Sequence, residues 1–290
     1  MAHTLTGKTA IITGASQGLG REIAKHYAAA GANLTLVARD EAALKQLVDE
    51  LRPSLNGQSI HLCRADVTDP NAIRQIVVET INVHGGLHIL VNNAGIWGPK
   101  GLTEDVDWDE WLYTMHINLL APVALCREIV PHLKRQRYGK IIQLSGGGAT
   151  KPMPRTSAYA ASKAAVVRFA ETLAEEVKAY GIDVNAIAPG AMNTHMLQEM
   201  LAAGPEKLGE AIYASLLKQK DSGGDSPEVA AELAVFLGSA QSDGLTGKLI
   251  SAVWDNWRDF PSHLDEMKSS DVYTLRRITG RDRGITWCDK

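Results

Sequence analysis

Tyr159 and Lys163 stand one helical turn apart in the stretch SAYAASK, which runs from residue 157 to residue 163. Side chains at positions i and i+4 of a helix share one face, so a phenol and an ammonium can meet the same substrate atom. The pair therefore predicts an acid/base device that moves a proton. An isolated pair of this kind more commonly marks an amphipathic helix with one half-buried aromatic and one solvated lysine, so the rest of the chain has to decide.

A glycine-rich turn, TGASQGLG at residues 13–20, lies where the first strand meets the first helix. In a dinucleotide-binding turn, Gly14 would permit the tight bend, Gly18 would let the backbone approach a pyrophosphate, and Gly20 would let the helix close on the sheet. The helix N-terminus offers free N–H groups and a partial positive charge to the phosphates. A plain tight connection is the alternative, but the position in the first βαβ unit favours a dinucleotide site.

The end of the second strand bears on which dinucleotide is held. In the preferred register Ala38 occupies the place of an acid that would bind the adenosine ribose, and Arg39 follows it. An arginine there suits a 2′-phosphate and favours NADP. NAD is the alternative, because Asp40 would be the ribose-binding acid if the register were shifted. Asp66 and Val67, after the third strand, are predicted to contact the adenine.

Short apolar runs alternate with helical patterns as far as residue 253, which predicts an α/β fold, a doubly wound parallel sheet of about seven strands flanked by helices. The predicted strands are Lys8–Thr13, Asn33–Ala38, Ser59–Arg64, Leu87–Val91, Lys140–Ser145, Asp183–Ala188 and Lys248–Val253. The predicted helices are Gly18–Ala30, Glu41–Leu51, Pro70–Val83, Asp109–Arg137, Ser157–Tyr180 and Pro227–Leu237. Residues 1–253 are expected to form one dinucleotide-binding domain, with a flap at about 193–225. Residues 254–290 are expected to form an extension that packs on the core or on a neighbouring subunit.

Composition by itself excludes little, but it argues against several classes of function. The chain has 290 residues, a formal net charge of −3, and three cysteines at 63, 126 and 288 without CxxC or Cys/His clustering. These features indicate no disulfide framework, no metal site and no global attraction to nucleic acid or an anionic membrane. The first residues lack a signal-peptide pattern and no long apolar run occurs, so a cytoplasmic location is expected.

Four motifs in order over about 250 residues resemble the short-chain dehydrogenase/reductase family: TGxxxGxG at 13–20, NNAG at 92–95, YxxxK at 159–163, and Pro-Gly at 189–190. The resemblance implies a Rossmann-type fold with seven strands, a nicotinamide cofactor and hydride transfer to or from a carbonyl or alcohol carbon. It also implies Asn118 as the catalytic asparagine beside Tyr159 and Lys163, and Thr194 as a hydrogen-bond partner of the nicotinamide carboxamide. Asn118 can equally be a polar residue that holds a kinked helix through its main chain. The cofactor-binding residues expected on these grounds are Gly14, Ser16, Gln17, Gly18, Leu19, Gly20, Arg39, Asp66, Val67, Asn93, Ala94, Gly95, Tyr159, Lys163, Pro189, Gly190 and Thr194.

The implied chemistry explains the residue types. Tyr159 has to exchange a proton with the substrate oxygen near neutral pH, although a free phenol titrates near 10. Lowering that pKa to about 7 takes roughly 4 kcal/mol of selective stabilisation of the phenolate. Lys163 and a positively charged oxidised nicotinamide are the expected sources, and Asn118 is expected to hold a water that returns protons from solvent.

The segment before the tyrosine departs from the family pattern. The family's serine lies thirteen positions before the tyrosine, which is Gly146 here, and Ser145 comes one residue early. A shift of one residue in a strand turns the side chain to the opposite face. Three alternatives are open. In the preferred one, the glycine run allows a bulge that re-aims Ser145 towards the substrate. In the second, the polarising donor is absent or is supplied by Thr150, water or a backbone N–H, and in the third the protein binds the dinucleotide without catalysis.

The substrate is expected beyond the carboxyl ends of the strands, in a pocket with few charges that suits an uncharged carbonyl or alcohol. Its predicted lining is Trp97, Met153, Met192, His195 and Met196. The tail lacks the family's Asp-Gly-Gly turn and carries Trp254, Trp257 and Trp287, which either brace a subunit interface or reach an active site. The helices at 109–137 and 157–180 resemble those that the family pairs across a dimer axis, so a homodimer or homotetramer is expected.

Overall fold

A computed structural model describes residues 4–52 and 55–287, and in it seven parallel strands form one sheet in the order β3-β2-β1-β4-β5-β6-β7. The strands are β1 Thr9–Thr13, β2 Asn33–Ala38, β3 Ile60–Arg64, β4 Ile89–Asn92, β5 Gly139–Leu144, β6 Ile182–Ala188 and β7 Leu249–Ser251. The chain crosses from β3 at one edge back to β4 beside β1, so the strand order reverses between β1 and β4. Ligands of open α/β sheets bind at such a switch point, outside the carboxyl ends of the strands. The predicted fold class is confirmed.

Ten α-helices in the described residues connect and cover the strands. They are α1 Gly18–Ala29, α2 Glu41–Leu51, α3 Pro70–His84, α4 Trp108–Met115, α5 Ala121–Gln136, α6 Ser157–Val177, α7 His195–Leu208, α8 Glu210–Ser222, α9 Pro227–Gly238 and α10 Leu264–Lys268. None of them carries an apolar stretch long enough to cross a lipid bilayer.

The sheet is buried on both faces, which is why its strands read as continuous apolar runs. Alternate residues of β1 show the division: Ile12 packs into the core shared with α1, α2 and α9, whereas Ile11 packs into the core shared with α3, α5 and α6. Leu36 and Val37 of β2 divide in the same way between the two cores. Two apolar layers therefore hold the helices against the sheet and fix the strand ends that build the site.

The long helix predicted over Asp109–Arg137 is divided in the structure. A π-helical turn at His116–Leu120 separates α4 from α5. Pro122 explains the division, because it lacks the N–H that would close an α-helical bond to the carbonyl of Asn118, four residues earlier. π-helical turns of this kind recur at functional sites, and this one contains Asn118.

The predicted flap forms two helices, α7 and α8, which meet at Gly209. The first part of the tail packs on the core: Trp257, Phe260 and Met267 are buried with the cluster on the α9 side of the sheet. Trp254 and Trp287 instead remain 84% and 87% exposed. Cys288 lies outside the described residues.

Candidate functional site

The turn between β1 and α1 is a close-packed cradle. Gly14 has φ of +66°, which suits a glycine, and a Cβ on Gly20 would lie 2.2 Å from the Gly14 carbonyl oxygen. The amide of Asn93 crosses from the neighbouring strand end and donates to the carbonyls of Thr13 at 2.9 Å and Gly14 at 3.2 Å. The Thr13 hydroxyl accepts from the N–H groups of Asn93 and Ala94. Two strand ends are thereby locked at the switch point.

The N-terminus of α1 is free to bind an anion. Gln17 stands at the N-cap without a side-chain hydrogen bond, and the first turn holds no acidic residue. Gly18 is exposed, and a Cβ built on it would touch only the methyl of Thr194, at 3.7 Å. Uncapped N–H groups and the helix dipole fit a pyrophosphate, so this cradle fits a dinucleotide.

The end of β2 presents a guanidinium, and the carboxylate that follows it in the sequence is engaged elsewhere. The Asp40 side chain accepts from the N–H of Ala43 at 3.0 Å and caps α2. Arg39 is exposed, and its Nη1 lies 3.4 Å from the Tyr113 hydroxyl. Ala38 pairs with Arg64 on β3, which brings a second arginine to the same strand ends.

Asp66 follows β3 at the same edge. Its carboxylate accepts from the N–H of Thr68 at 2.9 Å and from the Thr68 hydroxyl at 2.8 Å. Burial opposes ionisation, but these bonds and the charge of Arg39 hold the pKa of Asp66 below its ordinary value. The turn is therefore rigid and its carboxylate stays charged.

Tyr159 and Lys163 are both buried on the inner face of α6. The Nζ of Lys163 lies 5.6 Å from the centre of the Tyr159 ring and donates to the Leu144 carbonyl at 2.7 Å. A Cβ on Gly95 would lie 3.5 Å from that Nζ and 3.2 Å from Oδ1 of Asn118. The phenol, the ammonium and Asn118 therefore gather beside the NNAG turn, as the resemblance implies.

Burial moves the two pKa values in opposite directions. It raises the pKa of Tyr159 to about 12, because the phenolate is poorly solvated there. It lowers the pKa of Lys163 to about 8, because the ammonium is also poorly solvated. The protein interior alone thus opposes the low phenol pKa that catalysis near neutral pH needs.

Asn118 uses its whole side chain to hold neighbouring segments. Its Oδ1 accepts from the N–H of Ile96, and its Nδ2 donates to the Ile96 carbonyl, both at 2.9 Å. The same Nδ2 donates to the Ser162 hydroxyl at 3.0 Å. Asn118 therefore fastens the NNAG turn to α6, and its main-chain carbonyl is the group left without an α-helical partner by Pro122.

The glycine run after β5 does not bulge where Ser145 stands. The ladder with β6 continues without a slip through Leu144, and the N–H of Ser145 donates to the Ile187 carbonyl at 2.8 Å. Gly146 is extended, and a Cβ on it would lie 2.5 Å from the Tyr159 hydroxyl. Residue 146 is therefore the one whose side-chain direction faces Tyr159, while the buried hydroxyl of Ser145 has no hydrogen-bond partner among the described residues.

Among the predicted pocket residues, Trp97 is in direct contact with the acid/base pair. Its ring lies over that of Tyr159 with centroids 4.0 Å apart, and its Nε1 is buried without a partner among the described residues. Met153 borders the glycine run, since its Sδ would lie 3.1 Å from a Cβ on Gly148.

The remaining lining residues lie around the flap. Met192 and Met196 are half-buried. His195 instead is 57% exposed and lies 3.2 Å from the Glu199 carboxylate on the same helix. A cavity of about 890 Å³ lies between α7 and the segment that follows β4, and none of the five predicted lining residues borders it.

Sequence reasoning missed the residue that closes the base of the flap. Gly190 has φ of +99°, and a Cβ there would lie 2.6 Å from Oδ2 of Asp225. That oxygen accepts from the N–H of Ala191 at 2.6 Å, and the N–H of Asp225 donates back to the Ala191 carbonyl at 2.9 Å. The two ends of the flap are thereby joined. The sequence predicts the flap at about 193–225 but contains no sign of this clasp.

Comparison with known proteins assigns the chain and its fold to a family. The family model for short chain dehydrogenases matches residues 8–204, which include the cradle, the NNAG turn, Tyr159, Lys163 and Thr194. The chain belongs to the short chain dehydrogenase family. Members are oxidoreductases that act on CH–OH groups with a nicotinamide cofactor, so this chain is an oxidoreductase of that kind.

Individual relatives differ in what they act on. A short chain dehydrogenase of Pseudocercospora fijiensis is 39% identical over 194 residues, which are 66% of this chain and 62%, less than two thirds, of that protein. The 3-oxoacyl-acyl-carrier-protein reductase of Salmonella typhimurium is 34% identical over 84% of this chain and 95% of its own length. The structure of levodione reductase superposes with a TM-score of 0.78 at 27% identity, covering 85% of this chain and 96% of that one. The short chain dehydrogenase match thus extends to solved structures of the same fold.

Proposed function

We propose that this short chain dehydrogenase is an NADP-dependent oxidoreductase that interconverts an uncharged carbonyl compound and the corresponding secondary alcohol. The observation that carries the proposal is the buried Tyr159–Lys163 pair beside the NNAG turn, at the mouth of an anion-binding cradle. When bound, the dinucleotide supplies or accepts the hydride. The chain's own residues then have to bind the phosphates, position the carbonyl and move one proton.

Binding of the dinucleotide is assigned to the strand ends. The N-terminus of α1, at Gly18, would hold the pyrophosphate, and Thr194 beside it would hold the carboxamide of the nicotinamide. Lys163 would hold the ribose hydroxyls, and Asp66 the adenine side. These assignments follow the family pattern and the fit of the cradle.

Preference for NADP rests on the β2 end. Asp40 is engaged as a helix cap, whereas Arg39 is exposed and free to pair with a 2′-phosphate. A bond between a guanidinium and a phosphate contributes about 1.5–3 kcal/mol. We expect Arg39→Ala to weaken NADPH binding about 10- to 100-fold and NADH binding hardly at all, measured by titration of protein fluorescence.

A matched control is Arg127→Ala, which removes an exposed arginine on α5 and should change neither affinity. Equal losses for both dinucleotides in Arg39→Ala would remove the argument for NADP.

Proton transfer is assigned to Tyr159. In reduction its hydroxyl donates a proton to the carbonyl oxygen, and in oxidation the phenolate takes it back. Because burial raises the pKa of this phenol to about 12, the stabilisation of the phenolate has to come from positive charge placed against it. Lys163 and the oxidised nicotinamide ring are the two such charges that the site would bring together.

A water at the main-chain carbonyl of Asn118 is proposed to return the proton. The side chain of Asn118 is fully engaged with Ile96 and Ser162, so only its carbonyl is left for this role. Pro122 frees that carbonyl from the α-helical pattern.

Polarisation of the substrate oxygen is proposed to rest on Tyr159, because the position facing it, residue 146, is glycine. Ser145 as the polarising donor is the alternative, and the Ser145→Ala variant separates the two.

The glycine at position 146 also favours a second candidate function, a dinucleotide-binding regulatory protein without turnover. Tight NADPH binding with no absorbance change across a broad panel of ketones and alcohols would support that second function.

The cell's reducing pool of NADPH favours reduction as the working direction. The partners proposed are a small carbonyl or alcohol compound and further copies of the chain, as a homodimer or homotetramer in the cytoplasm. Sedimentation of the purified protein tests the oligomeric state.

A further inference from the structure

A mixed cluster of three metal-ligating side chains lies at the β3 edge of the sheet, away from the Tyr159 site. It consists of His61 and Cys63 on β3 and Glu79 on α3. One nitrogen of the histidine, the cysteine sulfur and one carboxylate oxygen all lie within 4.8 Å of one another. No residue proposed for dinucleotide binding or catalysis belongs to this cluster.

The fold places the three side chains together for a simple reason. Residues 61 and 63 are two apart on a strand, so their side chains point to the same face, which α3 covers. The packing of Cys63 with Ile76 and Val77 of α3 in one core brings Glu79 to the same place. The cluster is thus set by the βαβ packing and not by mobile loops.

The carboxylate of Glu79 is already oriented towards its neighbours. Its Oε1 accepts from Nε2 of Gln75 at 2.7 Å, and its Oε2 lies 3.1 Å from Nε2 of His61. Carboxylates that bind metals are commonly held in this way by a second hydrogen bond. His84 lies near the cluster: burial and the charge of His61 lower the pKa of His84, and its buried Nε2 has no hydrogen-bond partner among the described residues.

Access and charge also fit a bound cation. Cys63 is only 7% exposed, whereas the side chains of His61 and Glu79 are 24% and 35% exposed, which leaves a path from solvent. A thiolate, a neutral imidazole and a carboxylate together carry a charge of −2, which a divalent ion neutralises. Without a cation, burial and the Glu79 charge raise the pKa of the Cys63 thiol to about 11.

We propose that His61, Cys63 and Glu79 bind a divalent transition-metal ion, best Zn²⁺, as three protein ligands that fasten β3 to α3. Sulfur, imidazole nitrogen and carboxylate oxygen are the ligand set that zinc prefers, and a water completes the tetrahedron. Zinc–ligand distances of about 2.0–2.3 Å require ligand atoms about 3.3–3.8 Å apart. The three atoms here lie within 4.8 Å of one another, so small side-chain rotations have to close the remaining gap when the ion binds. On binding, the thiol releases its proton to solvent, and no redox change occurs.

The competing interpretation is a hydrogen-bonded trio that never binds a cation. Cobalt(II) separates the two, because a cysteine thiolate bound to cobalt gives a charge-transfer absorption that a carboxylate or imidazole alone does not. Full-length protein is freed of metal with a chelator and titrated with CoCl₂ while the near-ultraviolet and visible spectra are recorded. We expect one cobalt ion per chain and a thiolate band, which added ZnCl₂ abolishes by displacement.

Variants assign the band to its ligands. Cys63→Ser should lose it, and Glu79→Gln should weaken cobalt binding at least about tenfold. The matched controls are Cys126→Ser, which alters a buried thiol that accepts from two amide side chains in the core, and Cys288→Ser; both should retain the band. Retained NADPH binding shows that each variant is folded.

The thermal midpoint gives a second readout. Zinc at a large excess over its dissociation constant should raise the midpoint of the wild type and leave that of Cys63→Ser unchanged. A folded wild type that shows no thiolate band overturns the proposal. So does a band that persists in Cys63→Ser or disappears in Cys126→Ser. All of these outcomes are independent of the dehydrogenase activity.

Discussion

Replacing Lys163 by methionine tests the energetic cost of burying the cation that the acid/base pair requires. Lys163 is 5% exposed, and its Nζ donates to the Leu144 carbonyl at 2.7 Å. Burial lowers the pKa of its ammonium from 10.5 to about 8. That difference corresponds to roughly 3 kcal/mol by which the folded state disfavours the charged form. Loss of the hydrogen bond offsets about 1 kcal/mol, so we expect Lys163→Met to be about 2 kcal/mol more stable than the wild type near pH 7.

The pH dependence follows from the sign of that change. Because the folded pKa lies below the unfolded one, the penalty is present in full below about pH 8. It is relieved as the pH rises from about 8 towards 10.5, where the unfolded chain also gives up its proton. The free energy of unfolding of the wild type should therefore approach that of Lys163→Met over this interval. Tyr159, whose pKa burial raises to about 12, stays neutral in the folded state throughout.

The assay is urea unfolding followed by tryptophan fluorescence at several pH values between about 7 and 10, without added dinucleotide. Lys178→Met is the matched control, because Lys178 is 56% exposed and pairs with Glu175 at the surface; its change should stay within about 0.5 kcal/mol. A Lys163→Met protein that is no more stable than the wild type near pH 7 would refute the reasoning. A stability difference that does not shrink as the pH rises would refute it as well. The variant is also expected to lose turnover, so stability would be gained where activity is lost.

Three further predictions concern the site, two at glycines and one at Ser145. A Cβ on Gly146 would lie 2.5 Å from the Tyr159 hydroxyl. Displacing that hydroxyl by about 1 Å should lower kcat roughly 100-fold. We therefore expect Gly146→Ala to show this loss of kcat in a steady-state assay and still to bind NADPH. Ser145→Ala should change kcat by no more than about threefold; a 100-fold loss there would instead make Ser145 the polarising donor. In Gly20→Ala the new Cβ would lie 2.2 Å from the Gly14 carbonyl oxygen, so the variant should unfold about 3 kcal/mol more easily and lose NADPH binding by fluorescence titration. Unchanged NADPH affinity in Gly20→Ala would show that the β1–α1 turn is not the cradle.

The sheet was predictable because each strand carries its signal locally. Most strands are short, mainly apolar runs between turn residues and helical patterns, and β2 and α2 have the predicted bounds. The cradle was predictable for the same reason, since Gly14, Gly18 and Gly20 occupy one continuous turn. Their φ angles and close contacts require glycine at these positions.

What escaped prediction depends on contacts between distant segments. Asp225 closes the flap 34 residues after Ala191, and no pattern in either segment marks the pair. The break in the long helix had a local signal, Pro122. This residue indicates a break because it lacks the N–H that would donate to the carbonyl of Asn118, four residues earlier.

The cluster at the sheet edge escaped prediction for the same reason. His61 and Glu79 meet across 18 residues because α3 folds back over β3. His61 and Cys63 are only two residues apart, but Glu79, the third member, follows Cys63 by 16 residues without a pattern that links it to them.

The most direct test of the central claim is the absorbance of NADPH in the presence of a panel of uncharged ketones, for the wild type and for Tyr159→Phe. The phenylalanine keeps the ring against Trp97 and removes only the hydroxyl that would donate the proton. We expect the wild type to oxidise NADPH with at least one ketone. We expect Tyr159→Phe to lose at least about 100-fold in kcat and to retain its affinity for NADPH. Turnover by Tyr159→Phe at the rate of the wild type would contradict it.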